Sequence, residues 1–185
     1  NFIGTWDQVL CNALRHEFGA DVAMSAGVRW GTTTLEGDWI TMEDVMTQCA
    51  MTYGETYVTE MAGSDLKTIF ESVADNLFDP DPYLQSGGDM VRIGGLDYTI
   101  DPSKKLGERI TDIIMDNGEP LDLDKRYTVA GWASVNRTPD GPLMWDVVRG
   151  YILDTRGQDN VLRLPKINYP TLVGVADNPG IADYA

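Results

Sequence analysis

The sequence predicts an α/β fold in which a mixed β-sheet is flanked by helices. Segments with apolar residues at helical spacing alternate with short strand-like runs over the first hundred residues. Several strand-like runs then follow before a last amphipathic segment, and the chain contains no internal repeat. A length of 185 residues is sufficient for one domain with a substantial core.

Two segments of the first fifty residues have the apolar spacing of helices. The first covers residues 6–18, where Thr5 can cap the N-terminus and Gly19 can end the helix. The second begins after Thr41 and runs to about residue 49. The residues of this second helix that we expect to face inward are Met42, Val45, Met46 and Cys49.

Two more helices are predicted further along the chain. Ser64 is the expected N-cap of a helix that extends to about Leu77 and stops before the Pro80 turn. The last helix starts near Pro142 and continues to about residue 153. Both have apolar residues three and four positions apart, the pattern of a helix that packs one face on a core.

The strand predictions depend on short apolar or alternating runs. Residues 21–24, 53–61 and 96–100 are each expected to form a strand. Residues 109–115 and 127–131 are expected to pair with each other as a β-hairpin, because turn-forming residues at 116–118 follow the first run.

The domain is predicted to span residues 1–154. Beyond it the chain loses its periodicity, and Pro165, Pro170 and Pro179 fall in an expected irregular tail over residues 155–185. We expect this tail to wrap the surface or to dock on something outside the chain.

The charge of the chain narrows the possible partners. The formal net charge is −15, from 14 basic and 29 acidic residues. This balance argues against nucleic-acid binding, which needs a basic face for the phosphates. No apolar run approaches the roughly 18 residues of a membrane span.

Cysteine and histidine usage predicts no metal centre in this chain. Cys11 and Cys49 lie 38 residues apart, a spacing that matches no zinc motif and is too sparse for a disulfide scaffold. Both fall in apolar helical patterns, so buried free thiols are the favoured interpretation. His16 is the only histidine and has no carboxylate cluster near it in sequence.

Two loops combine glycine with a single arginine. Residues 85–95 hold four glycines around an apolar run, with Asp89 and Arg92 at the centre. A second segment, residues 25–31, places small residues around Arg29. Glycine permits close backbone approach to a ligand, but it is equally common in the turns of β proteins. Two such loops in one small domain leave the binding and structural interpretations evenly open.

These loops are also where the chain resembles a known family. The runs Gly87-Gly88-Asp89-Met90-Val91-Arg92 and Arg29-Trp30-Gly31-Thr32-Thr33 are similar to the C-terminal domain of the 5′-nucleotidase family, and within it to the SoxB-type thiosulfohydrolases. Further segments support the resemblance, namely 52–60, 73–78, 129–133 and 144–148. Each arginine run alone is a weak signal, whereas the two together are specific.

The resemblance implies a two-domain hydrolase of which this chain is the C-terminal part. The absent N-terminal metallophosphoesterase domain is expected to hold two metal ions, a dimanganese centre in the thiosulfohydrolase branch. That branch hydrolyses the sulfonate from a cysteine S-thiosulfonate on the sulfur carrier protein SoxYZ and releases sulfate in the periplasm. This chain is then expected to hold no cofactor and to be inactive alone.

Arg29 occupies the position where the family places an arginine that holds the substrate anion. The physical reason applies to phosphate and sulfonate alike, because a guanidinium fork pairs with two oxygens of a tetrahedral anion. Charge accumulates on those oxygens in the transition state, so a fixed positive group lowers the barrier. The alternative is a structural arginine that binds carbonyl groups of its own loop.

The chain departs from the nucleotidases at two positions. Nucleotidases stack the base between two aromatic rings, and those positions fall here at Met90 and Pro142, neither of which has a π-face. Stacking on an aromatic ring contributes about 1–3 kcal/mol per base. The departure favours an oxyanion substrate without a base over a nucleotide.

The remaining candidates are assigned to the substrate and the carrier. Gly87, Gly88, Asp89, Met90 and Arg92 are expected to form a cleft for the carrier's C-terminal arm, although Arg92 paired with Asp89 could be purely structural. Trp30 and Tyr53 could line the cleft or pack in the core. The alternatives for the whole protein are a nucleotidase-type phosphoesterase and a non-catalytic carrier-binding module.

Overall fold

The computed structural model of this chain describes residues 2–27, 33–50, 53–134 and 140–174. The helices are α1 (Thr5–Phe18), α2 (Met42–Gln48), α3 (Gly63–Phe78) and α4 (Met144–Thr155). The strands are β1 (Val22–Ser25), β2 (Thr56–Ala62), β3 (Arg92–Gly94), β4 (Leu96–Ile100), β5 (Ile110–Met115), β6 (Arg126–Trp132) and β7 (Thr171–Leu172).

Two mixed sheets form the framework. The larger has the strand order β2-β6-β1-β3, in which β1 runs parallel to β6 and the other two pairs are antiparallel. The smaller has the order β5-β4-β7, with β7 parallel to β4. This architecture confirms the predicted α/β class with mixed sheets and flanking helices.

The larger sheet is covered on both faces. Val22 and Val129 face a core shared with α3 and the smaller sheet. Ala23 and Ala130, the next residues on the same strands, face a second core shared with α1, α2 and α4. Successive strand residues point to opposite faces, so β1 and β6 have to be apolar on both.

Two of the predicted helices begin close to the expected residues. Gly4, rather than Thr5, precedes α1, and Gly19 ends the helix with a left-handed φ of +60°. Thr41 caps α2 as predicted: its hydroxyl accepts from the backbone N–H of Asp44, and the Asp44 carboxylate accepts from the backbone N–H of Thr41 at 2.7 Å. Such a reciprocal box satisfies two otherwise orphaned donors.

The prediction for the inner face of α2 was half wrong. Val45 and Cys49 are buried, but Met42 and Met46 are exposed. The helix is placed so that the arc containing Val45 packs on the core, and the neighbouring arc with both methionines lies outside it.

The start of α3 differs from the prediction. The N-cap is Ala62, whose backbone N–H donates to the Asp65 carboxylate, and Ser64 lies inside the helix. The backbone N–H of Ser64 donates to the carbonyl of Leu123 at 2.9 Å. Gly63 permits this contact, because a side chain there would meet the backbone of residue 122.

The predicted hairpin between residues 109–115 and 127–131 was wrong. The first run forms β5 in the smaller sheet, whereas the second forms β6 in the larger one. The turn after Met115 does occur, but it closes on Glu119 and Pro120 only. Leu121 then turns into the core, which directs the chain toward the other sheet.

The described part of the segment after α4 packs closely on the domain. Asn168 is buried, and its side-chain oxygen accepts from the backbone N–H of Gly95 at 3.1 Å and from Gln8 at 3.2 Å. Its side-chain nitrogen donates to Asp97 at 3.1 Å and to Asp116 at 2.8 Å. One side chain therefore joins α1, the turn before β4, β4 itself and the turn after β5.

No helix within the described ranges is both long enough and apolar enough to cross a membrane.

Candidate functional site

One edge of the larger sheet is formed by the ends of its four strands and not by an outer strand. The carboxyl ends of β1 and β6 lie beside the amino ends of β2 and β3, because Ser25 pairs with Arg92 and Trp132 pairs with Thr56. We call this the loop edge, defined by those four residues. The segments that begin or end there include both arginine loops found in the sequence.

Arg92 lies inside the domain at the loop edge. Its side chain is 5% exposed, and Nε donates to the Asp7 carboxylate at 2.9 Å. One further guanidinium nitrogen donates to the carbonyl of Met90 at 2.7 Å and the other to Asp89 at 3.3 Å. Two carboxylates neutralise the buried charge, and this is the condition under which a buried arginine is tolerated. The structural alternative for Arg92 is therefore the one that its contacts support.

The described parts of the two loops are in contact. A methyl group built on Gly27 would lie 2.8 Å from Nη2 of Arg92 and 3.4 Å from Cβ of Asp89. Only glycine fits at this position without displacing Arg92, since carbon and nitrogen pack no closer than about 3.5 Å in favourable contacts. Position 27 therefore links the first arginine loop to the second.

The glycine loop has a buried part and an exposed part. Met90 is fully buried in the core beneath the loop, so its side chain has no free surface with which to contact a ligand. Gly87 and Gly88 are exposed, and the backbone N–H of Gly87 donates to the carbonyl of Asn76 at 3.2 Å. Asp89 is partly exposed while holding Arg92. The accessible candidates of this loop are the backbone at positions 87 and 88 and the outer side of Asp89.

Aromatic side chains lie at the β2 side of the loop edge. Tyr53 is about half-exposed. The ring of Trp145 packs against Gly54, whose carbonyl accepts from the backbone N–H of Met144 at 2.7 Å. The Pro142 carbonyl accepts from the backbone N–H of Thr56 at 3.0 Å. The segment that holds Pro142 is therefore at this edge.

Trp145 was not among the candidates chosen from the sequence. Its position in the first turn of α4 is typical of core packing, and only its contact with residue 54 at the sheet edge reveals its place near the site. No local pattern in the sequence distinguishes it from a core tryptophan.

Arg29 and Trp30 lie outside the described residues. The described chain stops at Gly27, two residues after β1 ends, and resumes at residue 33. Their assignment to the substrate anion and to the cleft stays a prediction.

A buried hydrogen bond supports the loop edge from within. The indole N–H of Trp132 donates to the hydroxyl of Ser25 at 2.7 Å. Ala133, the next residue, has a φ of +57°, which is unusual for a residue with a side chain. The chain therefore leaves β6 in a costly backbone conformation at the site edge, where such strain is commonly retained for positioning.

The described residues offer no metal centre and no reactive thiol. No group of three or more His, Cys, Asp or Glu side chains in the described ranges could hold a metal ion. Cys11 and Cys49 are buried free thiols, as predicted. Burial raises the pKa of both, to about 12 for Cys49, so each is a neutral thiol at physiological pH.

A polar cavity lies at the opposite edge of the larger sheet. It has a volume of about 190 Å³ and is lined by residues including Arg15, Asp21 and Asp116. Partial burial alone would raise the pKa of Asp116, but hydrogen bonds from Lys166, Asn168 and Arg15 outweigh it and hold the pKa below its ordinary value. Arg15 and Lys166 both form ion pairs with Asp116, so these charges are already matched and the cavity is not the candidate site.

The fold and the loop edge define the class of protein. Residues 4–144 match the family model of the 5′-nucleotidase, C-terminal domain. The chain belongs to this family. A comparison with functionally characterised sequences finds no match.

Solved structures refine the comparison. The sulfate thiohydrolase SoxB of Thermus thermophilus, in complex with glycerol, superposes with a TM-score of 0.82 at 30% identity over 94% of this chain. A 5′-nucleotidase precursor from the same species gives 0.71 at 15% identity over 95%. A Staphylococcus aureus protein described as a 5′-nucleotidase, in complex with alpha-ketoglutarate, gives 0.68 at 18% over 90%. This chain covers 32%, 36% and 36% of those chains respectively, about a third of each.

Proposed function

We propose that this chain is the substrate-binding C-terminal domain of a SoxB-type thiosulfohydrolase. The whole enzyme would hydrolyse the sulfonate from a cysteine S-thiosulfonate on a carrier protein and release sulfate. The observation that carries the proposal is the difference in similarity, because identity is 30% with SoxB but 15% and 18% with two nucleotidase-type structures over comparable coverage. The hydrolase class itself follows from the family.

The chemistry is divided between two domains in this proposal. A dimanganese centre in an N-terminal metallophosphoesterase domain would activate water and polarise the sulfonate. Arg29 would hold the sulfonate oxygens through its guanidinium fork. Arg92 is not the anion ligand, because Asp7 and Asp89 already neutralise it. The exposed backbone at Gly87 and Gly88 would border the cleft for the carrier's arm, with SoxYZ as the expected carrier and the periplasm as the compartment.

A nucleotidase-type phosphoesterase is the second candidate, and one observation favours it. Tyr53 and Trp145 provide aromatic surface close to Pro142, where the nucleotidases have a base-stacking ring. A ring beside that position could replace part of the missing contact, since stacking tolerates any base.

The decisive assay uses a two-domain protein that joins this chain to a dimanganese domain of the SoxB type. It should release sulfate from a thiosulfonated carrier, and it should not release phosphate from adenosine monophosphate. Arg29→Ala should lower turnover on the carrier adduct by about 10²–10³-fold, the scale for removing one oxyanion donor.

Arg126→Ala is the matched control, because Arg126 is exposed at the far end of β6 and pairs only at the surface with Glu60. It should leave turnover unchanged. Phosphate release together with micromolar binding of adenosine monophosphate to the isolated chain would replace the thiosulfohydrolase proposal with the nucleotidase. A fall in melting temperature without a loss of turnover in Arg29→Ala would make Arg29 structural.

A further inference from the structure

Four large apolar side chains are exposed within residues 33–50. Leu35 is 66% exposed, Trp39 81%, Met42 43% and Met46 46%. We call these four residues the Trp39 surface. Single exposed apolar residues are ordinary, whereas a concentration within one short segment indicates an interaction site.

Local structure holds this surface in place. The carbonyl of Leu35 accepts from the backbone N–H of Asp38 at 3.0 Å, and the Asp38 carboxylate accepts from the N–H of Leu35 at 3.0 Å. Ile40 packs on the same core as Val45, four residues into the helix, in the arrangement of a hydrophobic staple. The surface therefore sits on a turn and a helix that are each fixed to the domain.

The domain covers only part of the apolar face of α2. Val45, Gln48 and Cys49 are buried. At 100° per residue, Met42 lies about 20° from Cys49 around the helix axis, and Met46 lies about 40° further on. The apolar arc therefore continues past the covered part, and both methionines extend it outward.

The segment that carries the Trp39 surface is acidic. Residues 33–50 contain no lysine, arginine or histidine. The same stretch has four acidic residues, namely Glu36, Asp38, Glu43 and Asp44. Glu36 and Glu43 are exposed within the segment that carries the surface itself. An occupant has to be apolar at its centre and positively charged around it.

The charge argues against three classes of occupant. A second copy of this chain would bring another acidic segment and a net charge of −15 against the first. Nucleic acid and anionic lipid bilayers are repelled in the same way. We propose that the Trp39 surface docks a partner polypeptide segment in which apolar side chains are flanked by lysine or arginine. None of these four residues is among the candidates for the substrate anion or the carrier, so the inference does not depend on the proposed hydrolase activity.

Methyl NMR of the full chain, labelled at the methionine methyl groups, tests this directly. The probe is a synthetic amphipathic peptide of leucine and lysine, about four helical turns long. It is compared with a peptide in which glutamate replaces every lysine. The leucine–lysine peptide should shift the Met42 and Met46 signals saturably and leave the buried Met90 and Met144 unchanged. Trp39→Ser should weaken its binding at least tenfold.

The controls separate this docking from general attraction between opposite charges. Glu36→Gln with Glu43→Gln should weaken binding several-fold, whereas Glu108→Gln with Asp112→Asn, exposed acids on and before β5, should not. Absence of saturable binding, equal binding of the glutamate peptide, or equal affinity of Trp39→Ser would overturn the proposal. The proposal would also be overturned if the Met42 and Met46 methyl groups were already buried in the two-domain protein, because the surface would then be an interdomain contact.

Discussion

Arg92 and Arg109 are both buried, but the carboxylates that pair with them differ in number and in burial. Arg92 joins β3 to Asp7 in the first turn of α1, and the carboxylate of Asp7 is itself only 6% exposed. Arg109 joins the start of β5 to Asp75 on α3, whose carboxylate is 28% exposed, and to the carbonyl of Phe78. Nε of Arg109 has no hydrogen-bond partner among the described residues.

The comparison shows that contacts, and not the composition of a loop, decide the role of an arginine. Arg92 has the sequence context of a ligand-binding residue but the contacts of a structural one. Arg92 lies in a glycine-rich loop, a composition typical of anion-binding sites. The carboxylates of Asp7 and Asp89, which are 85 and 3 residues away in sequence, neutralise it. No local sequence pattern reveals the pairing with Asp7. An arginine can bind a substrate anion only where its charge is not already matched.

Asp7→Ala is expected to have the largest effect on stability. It would leave the buried Arg92 guanidinium with one partly exposed carboxylate, and removing one partner of a buried pair typically costs about 3–5 kcal/mol. Urea denaturation measures the loss. Glu60→Ala, which breaks the exposed pair with Arg126, is the matched control and should cost at most about 1 kcal/mol. A small loss in Asp7→Ala would show that Asp7 is dispensable for burying Arg92.

Glu71→Gln tests the corresponding anchor beside Arg109. The buried Glu71 carboxylate accepts from the backbone N–H groups of Gly107 at 2.9 Å and Ile110 at 2.8 Å. Glutamine has only one acceptor oxygen, so at least one buried donor would lose its partner at a cost of about 1–3 kcal/mol. Hydrogen exchange should accelerate in the variant either at Ile110 or at Gly107 and Arg109, and unchanged exchange at all three would contradict the anchoring role.

Gly27→Ala tests the contact between the two loops. The new methyl group would lie 2.8 Å from Arg92, and overpacking of this kind usually costs about 1–3 kcal/mol. Gly88→Ala is the control, because a methyl group there meets no atom of the described residues within 4 Å and φ is not in the left-handed region. Its unfolding free energy should stay within about 0.5 kcal/mol of wild type. Equal effects of the two substitutions would contradict the close packing of Gly27 on Arg92.

The smallest effects concern acidic pH. The lowered pKa of Asp116 means that its carboxylate stabilises the fold above the ordinary aspartate pKa of about 3.9, and that this contribution is lost as pH falls through the lowered value. The stability difference between wild type and Asp116→Asn should therefore narrow below about pH 4. Urea midpoints measured from neutral pH downward would reveal it.

Asp159→Asn is the comparison for that series. Its hydrogen bonds with Arg163 lower the pKa of Asp159 to about 2, but both side chains are more than half exposed. Solvent and salt screen such a pair, so we expect no measurable change in urea midpoint at any pH in about 0.15 M salt. A larger effect for Asp159 than for Asp116 would contradict the ranking by burial.

Local periodicity accounts for the part of the fold that the sequence predicted correctly. The spacing of apolar residues identified α1, α3, α4 and β4 to within a few residues, and Thr41 and Gly19 marked helix ends through their own backbone chemistry. These features depend on interactions within about four residues, so the printed sequence contains the required information.

Long-range contacts decided the rest. The pairing of β5 with β4 rather than β6, the outward position of Met42, and the burial of Asn168 each depend on segments far apart in the chain. The same holds for the site: the sequence marked the two arginine loops, but their contact through Gly27, the neutralisation of Arg92 by Asp7, and the place of Trp145 follow from the packing. A side chain shows its type in the sequence, whereas its available charge and surface depend on neighbours that only the folded chain brings together.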